Sequence, residues 1–343
     1  MSRHHCLTAV TLLLVACQPS PSRPTKPPES TPTTNPAAAA APASMSHGEA
    51  AVGTPSAPAE RTAEAPPRSS TRRHVVRLET IHARHTIAPG VTYDAWTFGG
   101  QVPGPAQRVT VGDTIDFTIV NRAIMPHSMD FHAAEIAPSK AYVNVMPNDS
   151  LHFRFVARVA GVFMYHCGTA PVAAHIANGM YGALIVDPAR PRPAAREFVL
   201  VQSEFYLGPK TGPDSVQSLD WQRMLDLAPD YVVFNGSANL YATHPLEVAV
   251  NEPLRFYVVN AGPNRVSSFH VVGAIFDRVY LDGSDSPLRG VQTFEVPVGG
   301  GMVFDTHLVE EGIYPFVSHA FADATKGAVG MLKAGNPAGA MSH

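Results

Sequence analysis

The chain has 343 residues, a formal net charge of −3 and only 15% charged side chains. This length suffices for two domains of roughly 100–200 residues each, and the weak negative charge excludes the basic surface that nucleic-acid binding needs. Of the three cysteines, two lie in the first 17 residues, which excludes a disulfide framework in the rest of the chain.

The first segment, residues 1–17, has the features of a targeting sequence. A positively charged start precedes an apolar run from Leu7 to Ala16, which is too short to span a bilayer as a helix. The run ends in LVAC, which resembles the lipobox of bacterial lipoproteins and implies a membrane lipid anchor on Cys17. An ordinary cleaved signal is the alternative. Gln18, in place of Asp, favours the outer membrane, so we expect a cell-envelope protein facing the periplasm or the exterior.

Residues 18–72 are rich in Pro, Ala, Ser and Thr and contain no Phe, Trp, Tyr, Leu or Ile. Such a segment cannot bury enough apolar surface to offset the entropy lost on ordering it. We therefore predict a disordered tether, with a reach on the order of 150 Å if it is extended at about 3.1 Å per residue.

Beyond the tether, short β-rich runs separated by Gly, Pro and Asn predict an all-β fold. The pattern occurs twice, because RVTVGDTIDFTIVN at 108–121 is matched by EVAVNEPLRFYVVN at 247–260. A repeat of this kind predicts two tandem β-sandwiches. The predicted boundaries are 73–190 for the first domain, 191–335 for the second and 336–343 for a tail.

The stretch YHCGTAPVAAHIANGM gathers four side chains that bind soft or borderline metals: His166, Cys167, His175 and Met180. Successive residues of a strand point to opposite faces, so His127 and Cys167 are predicted to lie together, away from His166. A His₂Cys set with a weak axial Met is the ligand set of a blue-copper electron-transfer centre. The alternative is that Cys167 is a buried small hydrophobe with incidental histidine neighbours.

The opposite face is predicted to carry Asp130, His132 and His166. Two imidazoles need a further ligand, and the repeat supplies one, because GVFMYHC is matched by GIYPFVSHA, which contains His319. Three neutral imidazoles around copper with one open position form a catalytic metal site. His270, the repeat counterpart of His132, is expected near this site without being a ligand.

The peptide link between His166 and Cys167 would join the two metals. An electron received at the first centre then needs only a few covalent bonds to reach the second. The stretch is predicted to bind one copper and to connect it to another.

These residues resemble the copper-containing nitrite reductases over about 75–335, and the spacing from Cys167 to His175 resembles their short-loop branch, which includes outer-membrane lipoproteins. The turn WTFGGQVPGP is shared more widely with multicopper oxidases. The resemblance implies cupredoxin-like Greek-key sandwiches and two coppers per subunit. It assigns type 1 copper to His127, Cys167, His175 and Met180, and type 2 copper to His132, His166 and His319. In this family the third type 2 histidine comes from a neighbouring subunit, which implies a homotrimer.

The resemblance also implies a reaction, NO₂⁻ + e⁻ + 2H⁺ → NO + H₂O. Asp130 would hold nitrite and deliver one proton, and His270 would relay the second. Val272 stands where the family usually has Ile, which implies a slightly roomier pocket. The expected electron donor is a small redox protein, either a cupredoxin or a c-type cytochrome.

Two other functions remain open from the sequence. A copper-binding electron-transfer lipoprotein would use the Cys167 ligands but leave Asp130, His270 and His319 without a role. A two-domain multicopper oxidase that reduces O₂ would need a His-Cys-His motif, whereas Gly168 follows the cysteine here, and His-x-His pairs are absent.

Overall fold

The computed structural model describes residues 62–212 and 215–337. Within these ranges, the first half of the chain forms β1 Arg73–Ala88, β2 Val91–Phe98, β3 Gln107–Thr110, β4 Thr114–Asn121, β5 Asp130–Phe131, α1 Pro138–Ala141, β6 Ser150–Val156, β7 Gly161–His166, α2 Val172–Ala177 and β8 Tyr181–Asp187. In the described part of the second half lie β9 Arg196–Phe205, α3 Trp221–Leu225, β10 Tyr231–Phe234, α4 Leu240–Thr243, β11 Leu246–Val248, β12 Leu254–Gly262, β13 Ser267–Val271, β14 Arg278–Leu281, β15 Thr293–Val296, β16 Gly301–Thr306, β17 Gly312–Ser318, α5 Phe321–Thr325 and β18 Val329–Ala334.

Each half of the chain is a two-sheet sandwich. In the first, a sheet of order β2–β1–β4–β6 faces one of order β3–β8–β7–β5. In the second, the orders are β10–β9–β12–β16–β14 and β11–β18–β17–β13–β15. Neighbouring strands are often distant in the chain, as in a Greek key. The predicted all-β class and the two tandem cupredoxin-like sandwiches are confirmed.

The two copies of the repeat form equivalent strands. The run at 108–121 makes β3 and β4, and its match at 247–260 makes β11 and most of β12. Both β4 and β12 carry alternating apolar side chains that enter the core of their sandwich. The repeated sequence pattern therefore corresponds to a repeated structural unit.

Aromatic side chains fill the space between the sheets. In the first sandwich, Phe117 on β4 packs edge-to-face on Phe131 of β5 at a ring-centroid distance of 4.9 Å. In the second, Phe269 of β13 lies 5.0 Å from Phe304 of β16. Aromatic pairs add roughly 0.5–1.5 kcal/mol beyond the area that they bury. Because Phe131 precedes His132 and Phe269 precedes His270, each core aromatic directs the following histidine away from the core.

The two sandwiches also share a buried ion network. Arg108 on β3 is only 8% exposed and binds Asp187 at the end of β8 through two hydrogen bonds of 2.8 and 3.0 Å. Its Nη1 lies 2.7 Å from Glu197 Oε2, on β9 of the second sandwich. Arg255 on β12 binds the same glutamate at 3.0 Å. Carboxylates and guanidinium groups thus compensate one another across the boundary between the sandwiches.

The end of the predicted tether differs from expectation. We predicted disorder through residue 72, but residues 62–72 are described and their first part packs on β9. Val199 donates a backbone hydrogen bond to Ala63, whose methyl group is buried in the core of the second sandwich. Arg68 forms a 3.1 Å ion pair with Glu197. Backbone hydrogen bonds and ion pairs hold this segment in place. The prediction considered only the apolar area that the segment could bury, so it missed these polar contacts.

Other predictions at the chain ends are not tested by the structure. The targeting segment with Cys17 and most of the tether lie outside the described residues, as do residues 338–343 of the tail. The predicted domain boundary at residue 190 falls in the connection between β8 and β9. None of the helices in the described ranges has the length and apolarity needed to cross a membrane.

Candidate metal centres

One cluster of metal-binding side chains surrounds the thiol of Cys167, which follows the last residue of β7. Its Sγ lies 3.1 Å from Nδ1 of His175 on α2 and 3.9 Å from Nδ1 of His127. All three side chains are buried. Met180, which precedes β8, is fully buried in the same core cluster as Cys167. We call these four residues the thiol cluster; they are the ones predicted for the first metal.

Burial sets the protonation of this cluster. Burial and the neighbouring imidazoles of His175 and His82 lower the pKa of His127 to about 2, and burial chiefly lowers the pKa of His175 to about 4. Both rings are therefore neutral near pH 7, as metal ligands must be. Burial raises the pKa of the Cys167 thiol, while a hydrogen bond from the Ser128 backbone N–H, 3.3 Å from Sγ, acts in the opposite direction.

Two aromatic residues that sequence reasoning missed pack against the thiol cluster. Trp96 on β2 meets the His175 ring edge-to-face at 4.9 Å and stacks on His82 at 5.6 Å. His82 Nε2 lies 3.4 Å from Nε2 of His127, on the side of that ring away from the thiol. His82 and Trp96 come from strands β1 and β2, far from the thiol cluster in sequence, so no local spacing could have indicated them.

The second cluster consists of Asp130, His132 and His166, and we call it the imidazole cluster. Asp130 lies directly opposite His166 in the antiparallel pairing of β5 with β7. The Nε2 atoms of His166 and His132 are 3.1 Å apart, and Asp130 Oδ2 is 3.7 Å from His166 Nε2. His166 is buried, Asp130 half-buried and His132 exposed. The strand alternation that the sequence predicted therefore holds in the structure.

The tautomers of the imidazole cluster indicate a cation. His166 donates from Nδ1 to the carbonyl of Cys167 at 2.8 Å, and His132 donates from Nδ1 to the carbonyl of Gly299 at 2.9 Å. With both Nδ1 atoms donating to carbonyls, the neutral form of each ring presents the lone pair of Nε2, and these two atoms face each other at 3.1 Å. A bound metal ion satisfies both, and backbone carbonyls orient metal-binding histidines in this way. The donor set thus fits copper.

Tyr142, at the end of α1, contacts the carboxylate of the imidazole cluster. Its hydroxyl donates a hydrogen bond to Asp130, and burial, the Asp130 charge and this bond raise the pKa of Tyr142 well above its usual value. Sequence reasoning missed this residue, because the loop between His132 and β6 has no periodic pattern. The contact places a phenol beside the carboxylate of the imidazole cluster.

His319 and His270 lie together but outside the imidazole cluster of the same chain. Their ring centroids are 5.3 Å apart, and His270 donates from Nδ1 to the carbonyl of Gln292 at 2.5 Å. Val272 follows on the same strand end and is 42% exposed. Among the described residues, His319 joins neither metal-binding group. Within one chain, the structure does not bring the predicted third ligand to His132 and His166.

Two cupredoxin-like sandwiches, a buried His₂Cys cluster and an adjacent histidine pair define a two-domain copper oxidoreductase. A multicopper oxidase family profile matches residues 80–191. The copper-containing nitrite reductase of Neisseria meningitidis serogroup B is 40% identical over 264 residues, which cover 75% of this chain and 68% of that protein. The chain belongs to the family of copper-containing nitrite reductases, so it is a copper enzyme that reduces nitrite.

Solved structures agree with this assignment. The copper nitrite reductase from Nitrosomonas europaea superposes with a TM-score of 0.71 at 37% identity, over 77% of this chain and 94% of that one. A nitrite reductase from Thermus scotoductus gives a TM-score of 0.70 at 31% identity, covering 77% of this chain and 62% of the other. A multicopper oxidase with a TM-score of 0.68 is only 24% identical and covers 77% of this chain and 89% of its own, which is a likeness of fold alone.

Proposed function

We propose that the thiol cluster and the imidazole cluster divide the conversion of nitrite to nitric oxide between them. Copper bound at both sites supplies one-electron transfer at Cys167 and, at His166, Lewis acidity together with the electron for nitrite. The overall change, NO₂⁻ + e⁻ + 2H⁺ → NO + H₂O, needs one electron and two protons. The observation that carries the proposal is that two covalently adjacent residues lie in different clusters.

The ligand roles follow from the donor sets. His127, Cys167, His175 and Met180 would hold type 1 copper, and His132, His166 and His319 would hold type 2 copper. The first set is fully buried, which favours rapid electron transfer without exchange of ligands. At the second set, His132 is exposed and the neighbouring Asp130 is half-buried, so a small anion can enter.

Asp130 is assigned the first proton. Its carboxyl group lies beside the point where the two Nε2 atoms converge, 3.7 Å from one of them, and it is partly open to water. In its protonated form it donates a hydrogen bond to a nitrite oxygen and then transfers that proton. Tyr142, which interacts with this carboxylate, would help to position it.

His270 is assigned the second proton. Its Nδ1–H is bound to the Gln292 carbonyl, which directs Nε2 of the ring outward from the second sandwich. Since His270 and His319 lie side by side, an interface that brings one to the imidazole cluster brings both. The departing oxygen, as water, then receives its proton from His270. Val272 would border the substrate pocket.

A homotrimer would place His319 and His270 of one subunit against Asp130, His132 and His166 of the next. Two observations support this: His319 joins no metal-binding group in the described part of its own chain, and His132 is exposed. A ring of identical head-to-tail contacts closes without leaving an unpaired interface. Each subunit interface would then contain one complete active site.

The remaining parts of the proposal concern location and partners. The lipobox at Cys17 supports an outer-membrane lipoprotein of the cell envelope, with the tether placing the enzyme on the periplasmic or the outer side. A small cupredoxin or c-type cytochrome would deliver the electron to the thiol cluster.

The test is an anaerobic assay of the copper-loaded full chain with a reduced donor and nitrite, in which nitric oxide is recorded with an electrode. We expect nitric oxide at a rate proportional to nitrite at low concentration, and two coppers per subunit. A single copper per subunit and no nitric oxide would support the electron-transfer lipoprotein instead. In a parallel aerobic assay with the same reduced donor, reduction of O₂ to water without nitrite reduction would support the oxidase.

A further inference from the structure

A large cavity lies where three segments of chain meet: residues 158–160, the connection at 188–193, and β14 with the loop after it. None of its lining residues belongs to the thiol or imidazole cluster. Its volume is about 1160 Å³. Five arginines line it, namely Arg158, Arg190, Arg192, Arg278 and Arg289, against one carboxylate, Asp285. We call it the arginine cavity.

Two of these arginines have carboxylates nearby. Arg158 forms an exposed 3.3 Å pair with Glu135. Arg278 lies 4.0 Å from Asp305, a carboxylate that already accepts two hydrogen bonds from Arg255. These two arginines are therefore partly compensated, Arg158 by an exposed carboxylate and Arg278 by a buried one that it shares with Arg255.

The other three, Arg190, Arg192 and Arg289, form no ion pair with any carboxylate in the described part of the chain. The guanidinium of Arg192 lies 4.4 Å from the centre of the Tyr280 ring, and its Nη1 is buried without a hydrogen-bond partner. A buried unsatisfied donor and a group of like charges both destabilise the fold. A bound anion would offset the repulsion between the like charges.

The walls of the cavity are held in place by contacts that do not involve the arginines of the cavity. Pro188, Pro191 and Pro193 restrict the backbone of the connection. The carbonyl of Pro193 also accepts a 3.2 Å hydrogen bond from Arg255. On the opposite wall, the Gly283 N–H donates to a backbone carbonyl at 3.0 Å. A preformed site loses less entropy when it binds a ligand.

We propose that the arginine cavity binds an anion that carries two or more phosphate groups. Guanidinium groups bind phosphate oxygens in pairs, with short charge-assisted hydrogen bonds. Within the described residues, Arg190, Arg192 and Arg289 have no ion pair, and one lining carboxylate, Asp285, stands against these three positive charges, so the cavity favours an anion with more than one negative charge. The cavity volume also exceeds the need of one small oxyanion. The ligand can be a soluble diphosphate or a lipid headgroup that carries two phosphates.

The test uses inorganic pyrophosphate, titrated calorimetrically into the copper-loaded full chain at low ionic strength. The variants are Arg192→Gln, Arg289→Gln and their combination, with Arg84→Gln as a control because Arg84 is exposed on β1, outside the cavity. We expect each single variant to bind about tenfold more weakly, since each loses charge-assisted hydrogen bonds. The control should bind as the unmodified chain does.

Co-sedimentation with vesicles of cardiolipin in phosphatidylcholine distinguishes the two sources. Binding to these vesicles that is lost in the combined variant and displaced by pyrophosphate identifies a lipid headgroup; binding of pyrophosphate without vesicle binding identifies a soluble ligand. Either result supports the proposal. Absence of both, or equal binding by the combined variant and the unmodified chain, overturns it. Nitrite turnover should be the same in all variants, so failure here leaves the proposed function untouched.

Discussion

His166 and Cys167 are consecutive residues, yet their side chains enter different clusters. His166 Nε2 lies 3.1 Å from His132 Nε2, while Cys167 Sγ lies 3.1 Å from His175 Nδ1. The extended backbone of β7 is the reason, because it directs neighbouring side chains to opposite faces. The peptide unit between them is the shortest covalent path from the buried thiol cluster to the partly exposed imidazole cluster.

Replacing the thiol should separate the two centres. We expect Cys167→Ala to abolish the intense visible absorption of the copper-loaded protein, because thiolate-to-copper charge transfer causes it. Copper analysis should still find the second metal, held by His132 and His166. The measurement is an absorption spectrum with metal quantification. Retention of the visible band would show that another ligand set produces it.

His319→Ala should have the opposite effect. The visible band should remain, since His319 is outside the thiol cluster, while nitrite turnover and the second copper are lost.

A mixing experiment tests the subunit interface. In the proposed homotrimer, refolding a mixture of His319→Ala and His132→Ala chains gives interfaces in which one chain supplies an intact His132 and the next an intact His319. Partial recovery of activity is expected, and its absence at full trimer yield would refute a shared site.

Tyr142→Phe should lower nitrite turnover without changing the visible band. The phenol donates a hydrogen bond to Asp130, and loss of one such bond corresponds to about a threefold to tenfold lower rate. Tyr231→Phe, on a strand of the second sandwich, is the matched control. The variants should be compared by kcat, KM and the pH profile of turnover. An unchanged profile with normal kcat would exclude a positioning role for Tyr142.

The metal-free protein should lose stability in mild acid. His127 and His175 have folded pKa values of about 2 and about 4, below the ordinary 6.5, so protons bind preferentially to the unfolded chain. The stability that the two neutral histidines allow is fully present above pH 6.5 and is lost as the pH falls toward 4. When the pH is lowered from about 7 to about 5, the free energy of unfolding should fall by roughly 2 kcal/mol for each of these histidines.

Urea denaturation of chelator-treated protein across this pH range measures the effect. A variant with both His127→Gln and His175→Gln should show a flatter dependence on pH. If the double variant keeps the full slope, other groups are responsible.

Arg108→Met should destabilise the fold strongly. It leaves Asp187 buried with its two closest hydrogen-bond donors removed, and loss of one partner of a buried ion pair costs about 3–5 kcal/mol. Lys333→Met, which breaks a 3.3 Å surface pair with Glu247, is the control and should cost about 1 kcal/mol or less. Urea midpoints of the two variants give the comparison. Equal midpoints would mean that the network between the sandwiches does not contribute to stability.

The thiol cluster was predictable because its residues obey local rules. Cys167, His175 and Met180 all lie in the short connection between β7 and β8. The imidazole cluster was predictable for a related reason, since Asp130 and His132 are two residues apart. Trp96 and Tyr142 were not predictable, because each reaches its cluster through strand pairing or an irregular loop, and no spacing in the sequence records either contact.

The sequence alone predicted the fold class, the repeat and the separation of Cys167 from His166, because strand alternation is a local property of the chain. Tertiary structure decided the rest. It set the register that places Asp130 opposite His166, the backbone carbonyls that turn the two Nε2 atoms toward each other, and the position of His319 apart from both. These features arise from contacts between distant segments, whose geometry depends on the packing of the whole fold.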